Sequence, residues 1–336
     1  MFFARKGNNN ALLNSVQTVF SVNLQPNKQP AMRLHLNPIH KRLQEFVQAL
    51  PVLFDRGEGK VLHAGRNTIR RFTQEGETLA VKRFKQPGFL QGILYAHFRR
   101  SKARRSFEHA MRLVGLGIGT PQPVAWSEYR RNGRLTNSFY ISGYSELKPL
   151  SEFARRFPDV ESRPALDAFA RFVAELHEKG IDHRDFNQGN ILCGYDPEEK
   201  QWRFELIDIN RMRFLDRPLT PRQCMINLRR LSCPAPAFLY ILDRYAEVRG
   251  WNIDDTLLRG LFFRLAFGRQ RAFKKRFLRR KKPHPLKNRP SRLDYQNISL
   301  YLSSTKTTHV MRLHGFASYF YFFFFYGKRK SGIACA

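Results

Sequence analysis

The stretch Ile181-Asp-His-Arg-Asp-Phe-Asn-Gln-Gly-Asn-Ile-Leu192 decides how the rest of the chain is read. It sets a His183-Arg184-Asp185 triplet ahead of Asn190, which follows Asp185 by five residues and is itself followed by an apolar pair. Taken alone, the loop also fits a polar turn between two buried segments, because such triplets arise often by chance. Phosphoryl transfer asks for a residue that orients the attacking hydroxyl and takes its proton, for metal ligands that neutralise phosphate oxygens, and for a fixed cation on the nucleotide. Asp185 has the chemistry of the base, and Asn190 that of a neutral Mg²⁺ ligand.

Downstream, Trp202-Arg-Phe-Glu-Leu-Ile-Asp208 forms a hairpin with Asn190-Ile-Leu-Cys193, and Asp208 at its end is a charged oxygen ligand for the metal. Upstream, Leu166, Phe169, Ala170, Val173, Leu176 and His177 mark a long helix that stops at Gly180. Earlier still, runs at 60–63, 68–72 and 78–84 read as three strands. Lys82 is the only charge in Leu79-Ala-Val-Lys82 and suits the nucleotide phosphates. A helix from about Lys102 to Leu116 follows, with Phe107, Met111, Val114 and Leu116 as its buried stripe. Its single acid, Glu108, is either the ion-pair partner of Lys82 or a solvated helical charge. Two more strands flank a polar turn from Arg130 to Arg134, and a short helix from Asn37 is expected to stop at Pro51. Helices from Thr220-Pro221, at 236–249 and at 254–280 complete a mainly helical second half. A strand Lys, a helix Glu, an Asp/Asn loop and a strand-terminal Asp, in this order, favour catalysis over a plain turn.

These segments resemble the protein-kinase-like fold, and more closely the lipopolysaccharide core kinase (Kdo/WaaP) family. The likeness covers about residues 40–280. It rests on Ala80-Val-Lys-Arg-Phe84, on Phe107-Glu108 leading to Gly117-Ile-Gly-Thr-Pro-Gln-Pro123, on Leu176-His177 before the quoted loop, and on Leu206-Ile-Asp-Ile-Asn-Arg211. It implies an α+β fold of two lobes, a small antiparallel-sheet lobe of five strands with one helix and a mainly helical lobe. It also implies ATP-dependent phosphorylation of a sugar hydroxyl, Kdo or heptose, of the lipopolysaccharide inner core at the cytoplasmic face of the bacterial inner membrane. In that frame Asp185 is catalytic, Asn190 and Asp208 hold Mg²⁺, and Lys82, braced by Glu108, steadies the ATP phosphates. The expected division is a poorly patterned extension at 1–36, lobes at 37–146 and 147–282, and an appendage at 283–336.

Departures from protein kinases sharpen the reading. Ala64-Gly-Arg-Asn-Thr68 has one glycine where a phosphate loop has several; amides around Gly65, with the charge of Arg66, either cap a phosphate or form a plain hairpin turn. Asp208 is followed by Ile209 and Asn210, where Asn tolerates a left-handed backbone. Asn187 stands where protein-phosphorylating kinases keep a Lys, and only residues 209–219 separate Asp208 from the next helix. So short a segment suits a sugar acceptor better than a peptide. Arg184 is then expected to be structural, bonding nearby carbonyls or an acid.

The chain of 336 residues is 42% hydrophobic, and its 59 basic against 27 acidic residues leave a net charge of +32. That charge attracts polyanions without choosing among them. The four cysteines lack paired short spacing, which argues against a disulfide framework or a zinc site. No apolar run is long enough to span a bilayer, and the eight apolar residues from Tyr319 to Tyr326 are too few. Arg5 and Lys6 precede a diluted apolar segment that matches a signal peptide poorly, and Met32 is a candidate true start. From Arg264 to Lys282 there are ten basic residues, no acids, and Phe267, Phe273 and Phe277 at roughly helical intervals. This pattern suits an anionic membrane surface or lipid A phosphates; no nucleic-acid module accompanies it. An atypical protein or small-metabolite kinase and an inactive nucleotide-binding scaffold are alternative readings; a nucleic-acid-binding module is a third, which explains the charge but not the order of Lys82, Glu108, Asp185, Asn190 and Asp208.

Overall fold

A computed structural model describes residues 31–279. The expectations placed on residues 1–30, on Arg280 to Lys282 and on 283–336 lie outside the described residues. The chain divides into two compact units, one made of residues up to 150 with Leu176–Leu219, the other of Ser151–Glu175 with residues from Thr220 onward.

In the first unit, β1 (Ala31–Leu36), β2 (Lys60–Ala64), β3 (Thr68–Gln74), β4 (Glu77–Arg83), β5 (Pro123–Arg131) and β6 (Arg134–Gly143) form one antiparallel sheet in the order β1-β5-β6-β4-β3-β2. Five strands were expected. The sixth is β1, an edge strand running from Ala31 opposite Arg130 to Leu36 opposite Ala125. Its Met32, Leu34 and Leu36 alternate onto the core, while Arg33 and His35 between them hide the apolar pattern. The β5–β6 hairpin also runs further than its composition suggested. Asn132 and Gly133 both take left-handed φ, 50° and 67°, which builds a two-residue turn whose twist matches the strands and lets pairing reach Arg131 opposite Arg134.

A 3-10 segment (Pro38–Leu43), kinked at His40, leads into α1 (Gln44–Asp55), which buries Phe46, Val47, Leu50 and Phe54 against the sheet. The helix passes through Pro51 instead of stopping there. Proline has no N–H to offer the carbonyl four residues back, which is that of Val47. The Tyr129 hydroxyl from β5 takes that role, donating toward the carbonyls of Val47 at 3.3 Å and Gln48 at 3.1 Å. Burial pushes the Tyr129 hydroxyl pKa up to about 12, so it remains a donor. Tyr129→Phe is therefore expected to cost about 1–2 kcal/mol of stability; an unchanged urea midpoint would remove Tyr129 from this role.

α2 (Phe89–His97) was not anticipated, since Pro87, Gly88 and Gly92 read as loop punctuation. α3 (Lys102–Gly115) starts at Ser101, whose Oγ accepts from the Arg104 amide at 3.1 Å. It buries Ala103, Phe107, Ala110 and Leu113 and leaves Val114 exposed, so its inward stripe is turned from the expected one. The unit continues with β7 (Lys148–Pro149), β8 (Ile181–Asp182), β9 (Ile191–Asp196), β10 (Gln201–Leu206) and β11 (Arg213–Phe214). β9 and β10 form the expected hairpin, β7 adds to β9, and β11 pairs with β8.

One close approach ties the segment after α3 to β10. The Gly119 carbonyl accepts from the Leu206 amide at 2.9 Å, and Thr120 Oγ1 donates to the Leu206 carbonyl at 2.9 Å. A Cβ on Gly119 would lie 1.9 Å from the Phe204 carbonyl oxygen, a backbone atom that no rotamer change can move. Gly119→Ala is expected to destabilise the chain by about 3 kcal/mol or more. A melting temperature equal to that of the native chain would contradict this packing.

The second unit is helical. It contains most of α4 (Leu150–Arg156) and α5 (Ser162–Glu178), then α6 (Pro221–Leu228), α7 (Ala235–Arg249) and α8 (Ile253–Arg279). Thr220 and Gln223 form a capping box at the start of α6, as Thr220-Pro221 suggested. The fold is thus α+β, an antiparallel sheet in the amino-terminal part and helices in the carboxy-terminal part. Among the described residues no helix is long and apolar enough to cross a membrane.

Candidate active site

Lys82, Glu108, Asp185, Asn190 and Asp208 all belong to the first unit. β10 delivers Asp208 just beyond its last residue, in a left-handed conformation (φ 53°, ψ 43°). The sequence had reserved that backbone for Asn210. Asp pays less than most residues for it, and local bonds hold it there. The Asn210 amide, buried in the turn, donates Nδ2 to Asp208 Oδ1 at 2.7 Å. The Lys82 ammonium on β4 donates to the same oxygen at 2.9 Å. Burial alone would raise the Asp208 pKa, but the charge and hydrogen bond of Lys82 outweigh it and hold the carboxyl below its ordinary value.

The expected Lys82–Glu108 pair is not formed. Glu108 instead bonds Arg104 at 2.8 Å, one helical turn back, and Arg100 at 3.0 Å. Two guanidiniums on its own side of α3 satisfy it, and Asp208 takes the lysine. The α3 residue that does reach the Asp208 turn is the next one, which the sequence reading passed over. His109 Nδ1 meets the Ile209 carbonyl at 2.8 Å, and its ring lies edge-on to Phe214, 5.4 Å between centroids. A histidine beside Glu108 was the available signal.

The loop from Ile181 to Leu192 is built around one carbonyl. Asp185 O accepts from the Asn187 amide at 2.8 Å, from Asn187 Nδ2 at 3.2 Å and from Asn190 Nδ2 at 2.9 Å. Asn187 Oδ1 also accepts from the Gly189 amide at 2.9 Å. Asn187 therefore shapes the loop, beyond standing where protein kinases have a lysine. The Asp185 carboxylate is left without a hydrogen-bond donor among the described residues, free to accept a proton from a hydroxyl. Arg184, expected to bond nearby carbonyls or an acid, is exposed and makes no hydrogen bond or ion pair among the described residues.

His183 connects the loop to the Asp208 turn. Its Nδ1 accepts from the Asp185 amide at 3.2 Å and its Nε2 lies 3.0 Å from the Ile207 carbonyl, which fixes a neutral ring with the proton on Nε2. Burial pushes the pKa of His183, and likewise of His109, below the ordinary value. A depressed folded pKa means that the stability these rings contribute is complete above the ordinary histidine value of about 6.5 and is lost as pH falls through the folded value. The melting temperature is expected to hold at neutral pH and to fall as pH drops below about 6. A flat profile down to about pH 5 would contradict the neutral assignment.

Gly65 and Arg66 sit in the loop between β2 and β3. The Gly65 amide donates to the Asn67 carbonyl at 3.2 Å, closing a hairpin turn, while Arg66 is exposed. The donor set suits a hard cation. Asn190 spends Nδ2 on the loop and keeps Oδ1, and Asp208 keeps its second oxygen, so one amide and one carboxylate oxygen remain. Mg²⁺ is commonly held by one or two such protein oxygens together with phosphates and water. No cluster of three or more His, Cys, Asp or Glu able to hold a metal occurs among the described residues.

Residues 66–235, half of the chain, match the lipopolysaccharide kinase (Kdo/WaaP) family. The chain belongs to this family. As a Kdo/WaaP kinase it is a phosphotransferase that uses ATP and a sugar hydroxyl of the lipopolysaccharide core. The matched segment contains every site residue named above except Gly65, and ends at the start of α7. Lipopolysaccharide core heptose(I) kinase WaaP of Pseudomonas aeruginosa is 28% identical over 213 residues, 57% of this chain and 75% of that protein. Among solved structures, WaaP in complex with acyl carrier protein aligns with a TM-score of 0.49 at 22% identity, over 72% of this chain and 98% of that one. An aminoglycoside-3'-phosphotransferase of type VIII aligns with a TM-score of 0.43 at 16% identity, over 65% and 96%.

Proposed function

We propose that Asp185 is the base, and Lys82, Asn190 and Asp208 the phosphate and metal ligands, of a kinase acting on a heptose hydroxyl of the lipopolysaccharide inner core. The observation that carries this is the Lys82–Asp208 contact of 2.9 Å in the unit that also holds the pinned Asp185 loop. The acceptor hydroxyl gives its proton to Asp185 as its oxygen bonds to the γ-phosphorus; the bond from that phosphorus to the bridging oxygen breaks, and ADP leaves. In this reading Lys82 offsets charge on the transferring group. Mg²⁺ bound by Asn190 and Asp208 would supply further charge neutralisation at the phosphate oxygens. Heptose is preferred to Kdo because the curated relative is a heptose(I) kinase. The test is lipopolysaccharide core from cells lacking the gene: loss of one core phosphate is expected, and an unchanged core refutes the assignment.

The same proposal places the chain at the cytoplasmic face of the inner membrane. Phe273 and Phe277 on α8 are exposed, as that role requires, and the helix carries most of the basic segment. Phe267, expected to face lipid with them, is half-buried with Arg229 and Arg230 over its ring at 4.8 and 5.4 Å. Each cation adds on the order of 1 kcal/mol near anionic lipid, so removing 264–282 should abolish co-sedimentation with anionic vesicles. Equal sedimentation of both proteins would remove the helix from this role.

A further inference from the structure

Where β4 runs out past Phe84 and the chain turns into α2, a cavity of about 420 Å³ opens. Arg66, Lys85 and Lys102 line it with Gln86, Gln91 and Ser138, and no acid does. Lys102, the first residue of α3, is half-buried, yet no carboxylate among the described residues pairs with it. The nearby acids are taken, Asp208 by Lys82 and Asn210, Glu108 by Arg100 and Arg104. Burial, and then the guanidiniums of Arg66, Arg211 and Arg105, depress the Lys102 pKa, with Asp208 opposing. A half-buried ammonium facing other cations is unfavourable in the free protein, and an entering anion relieves the repulsion.

We propose that this cavity is an oxyanion subsite for the acceptor, taking a phosphate or carboxylate group that the glycolipid carries near the reacting hydroxyl. The inference rests on the reading of the chain as a lipopolysaccharide sugar kinase and adds where the acceptor is held. The nucleotide has a cation of its own in Lys82, which lies 5.3 Å from the centroid of the Phe84 ring; Phe84 also lines the cavity, which extends from there to Gln86 in the connection after β4 and to Gln91 on α2. α2 adds a second feature that suits an amphiphile. Gln91 and Tyr95 face the cavity, whereas Phe89 and Leu90 are 63% and 79% exposed, with Leu94 at 43%. A charged head in the cavity and apolar chains along the outer side of the helix match both surfaces.

The experiment compares the native chain with a Lys85→Gln, Lys102→Gln double variant whose fold is checked by circular dichroism, using Lys85→Gln alone if the double variant is unfolded. The KM for lipopolysaccharide core is expected to rise about tenfold, with the KM for ATP within about twofold. A rise in the ATP KM alone, or no change in either, overturns the subsite. A second arm needs no turnover: inorganic phosphate is titrated calorimetrically into each protein without nucleotide. Binding about tenfold weaker in the variant supports the subsite even if the acceptor sugar proves different. Equal binding, or none by the native chain, overturns it.

Discussion

Asp185→Asn is expected to lower phosphate transfer to the lipopolysaccharide core about 10³-fold, within the range of one positioned general base. The substitution removes the proposed proton acceptor and little else. Three donors hold Asp185 through its main-chain carbonyl, and none of the described residues donates to its carboxylate, so the loop keeps its shape when the side chain becomes an amide. The KM for ATP and the melting temperature should therefore stay close to those of the native chain. A variant that folds, binds ATP and still transfers phosphate at the native rate would end the assignment of Asp185 as base.

Lys82→Met is expected to reduce kcat about 10²-fold, the scale of one lost charge partner of a transferring group. It differs from Asp185→Asn in also weakening the protein. Lys82 is 15% exposed and Asp208 32%, so the lysine offsets a carboxylate partly withdrawn from water in a left-handed turn. With Asn210 still donating and the carboxylate a third exposed, the loss should be about 1–2 kcal/mol rather than that of a fully buried pair. Asp208 should then titrate closer to an ordinary carboxyl, because the charge that outweighs its burial is gone. Glu108→Gln should be milder than Lys82→Met, since Glu108 is held by arginines of α3 and its own neighbourhood. Equal losses of kcat in the two variants would restore the Lys82–Glu108 pairing as the working arrangement.

Periodicity and turn chemistry carried much of the fold. The hairpin of β9 and β10, the Thr220 cap and the αL glycine at Gly180 that follows α5 are local features, each written in a few adjacent residues. The features that sequence reading missed depend on distant partners. Pro51 looks like a helix stop until Tyr129 is brought over the Val47 carbonyl from β5. β1 needs β5 beside it before Met32, Leu34 and Leu36 read as a strand. The same division holds at the site. Asp185, Asn190, Lys82 and Asp208 could be named as candidates from residue type and order, but which acid the lysine reaches is a matter of geometry, as are His109 on the Ile209 carbonyl and the cations around Lys102. Asn210 was read as the left-handed residue because Asn tolerates that backbone, whereas the strand-terminal Asp208 adopts it and Asn210 fastens it.

The most direct test uses lipopolysaccharide core purified from cells lacking the gene, incubated with ATP and either the native chain or Asp185→Asn, and read by mass spectrometry. The native chain should add one phosphate to an inner-core heptose and the variant none in the same time. An unmodified core after incubation with folded native chain, or equal phosphorylation by both proteins, would contradict sugar phosphorylation with Asp185 as its base.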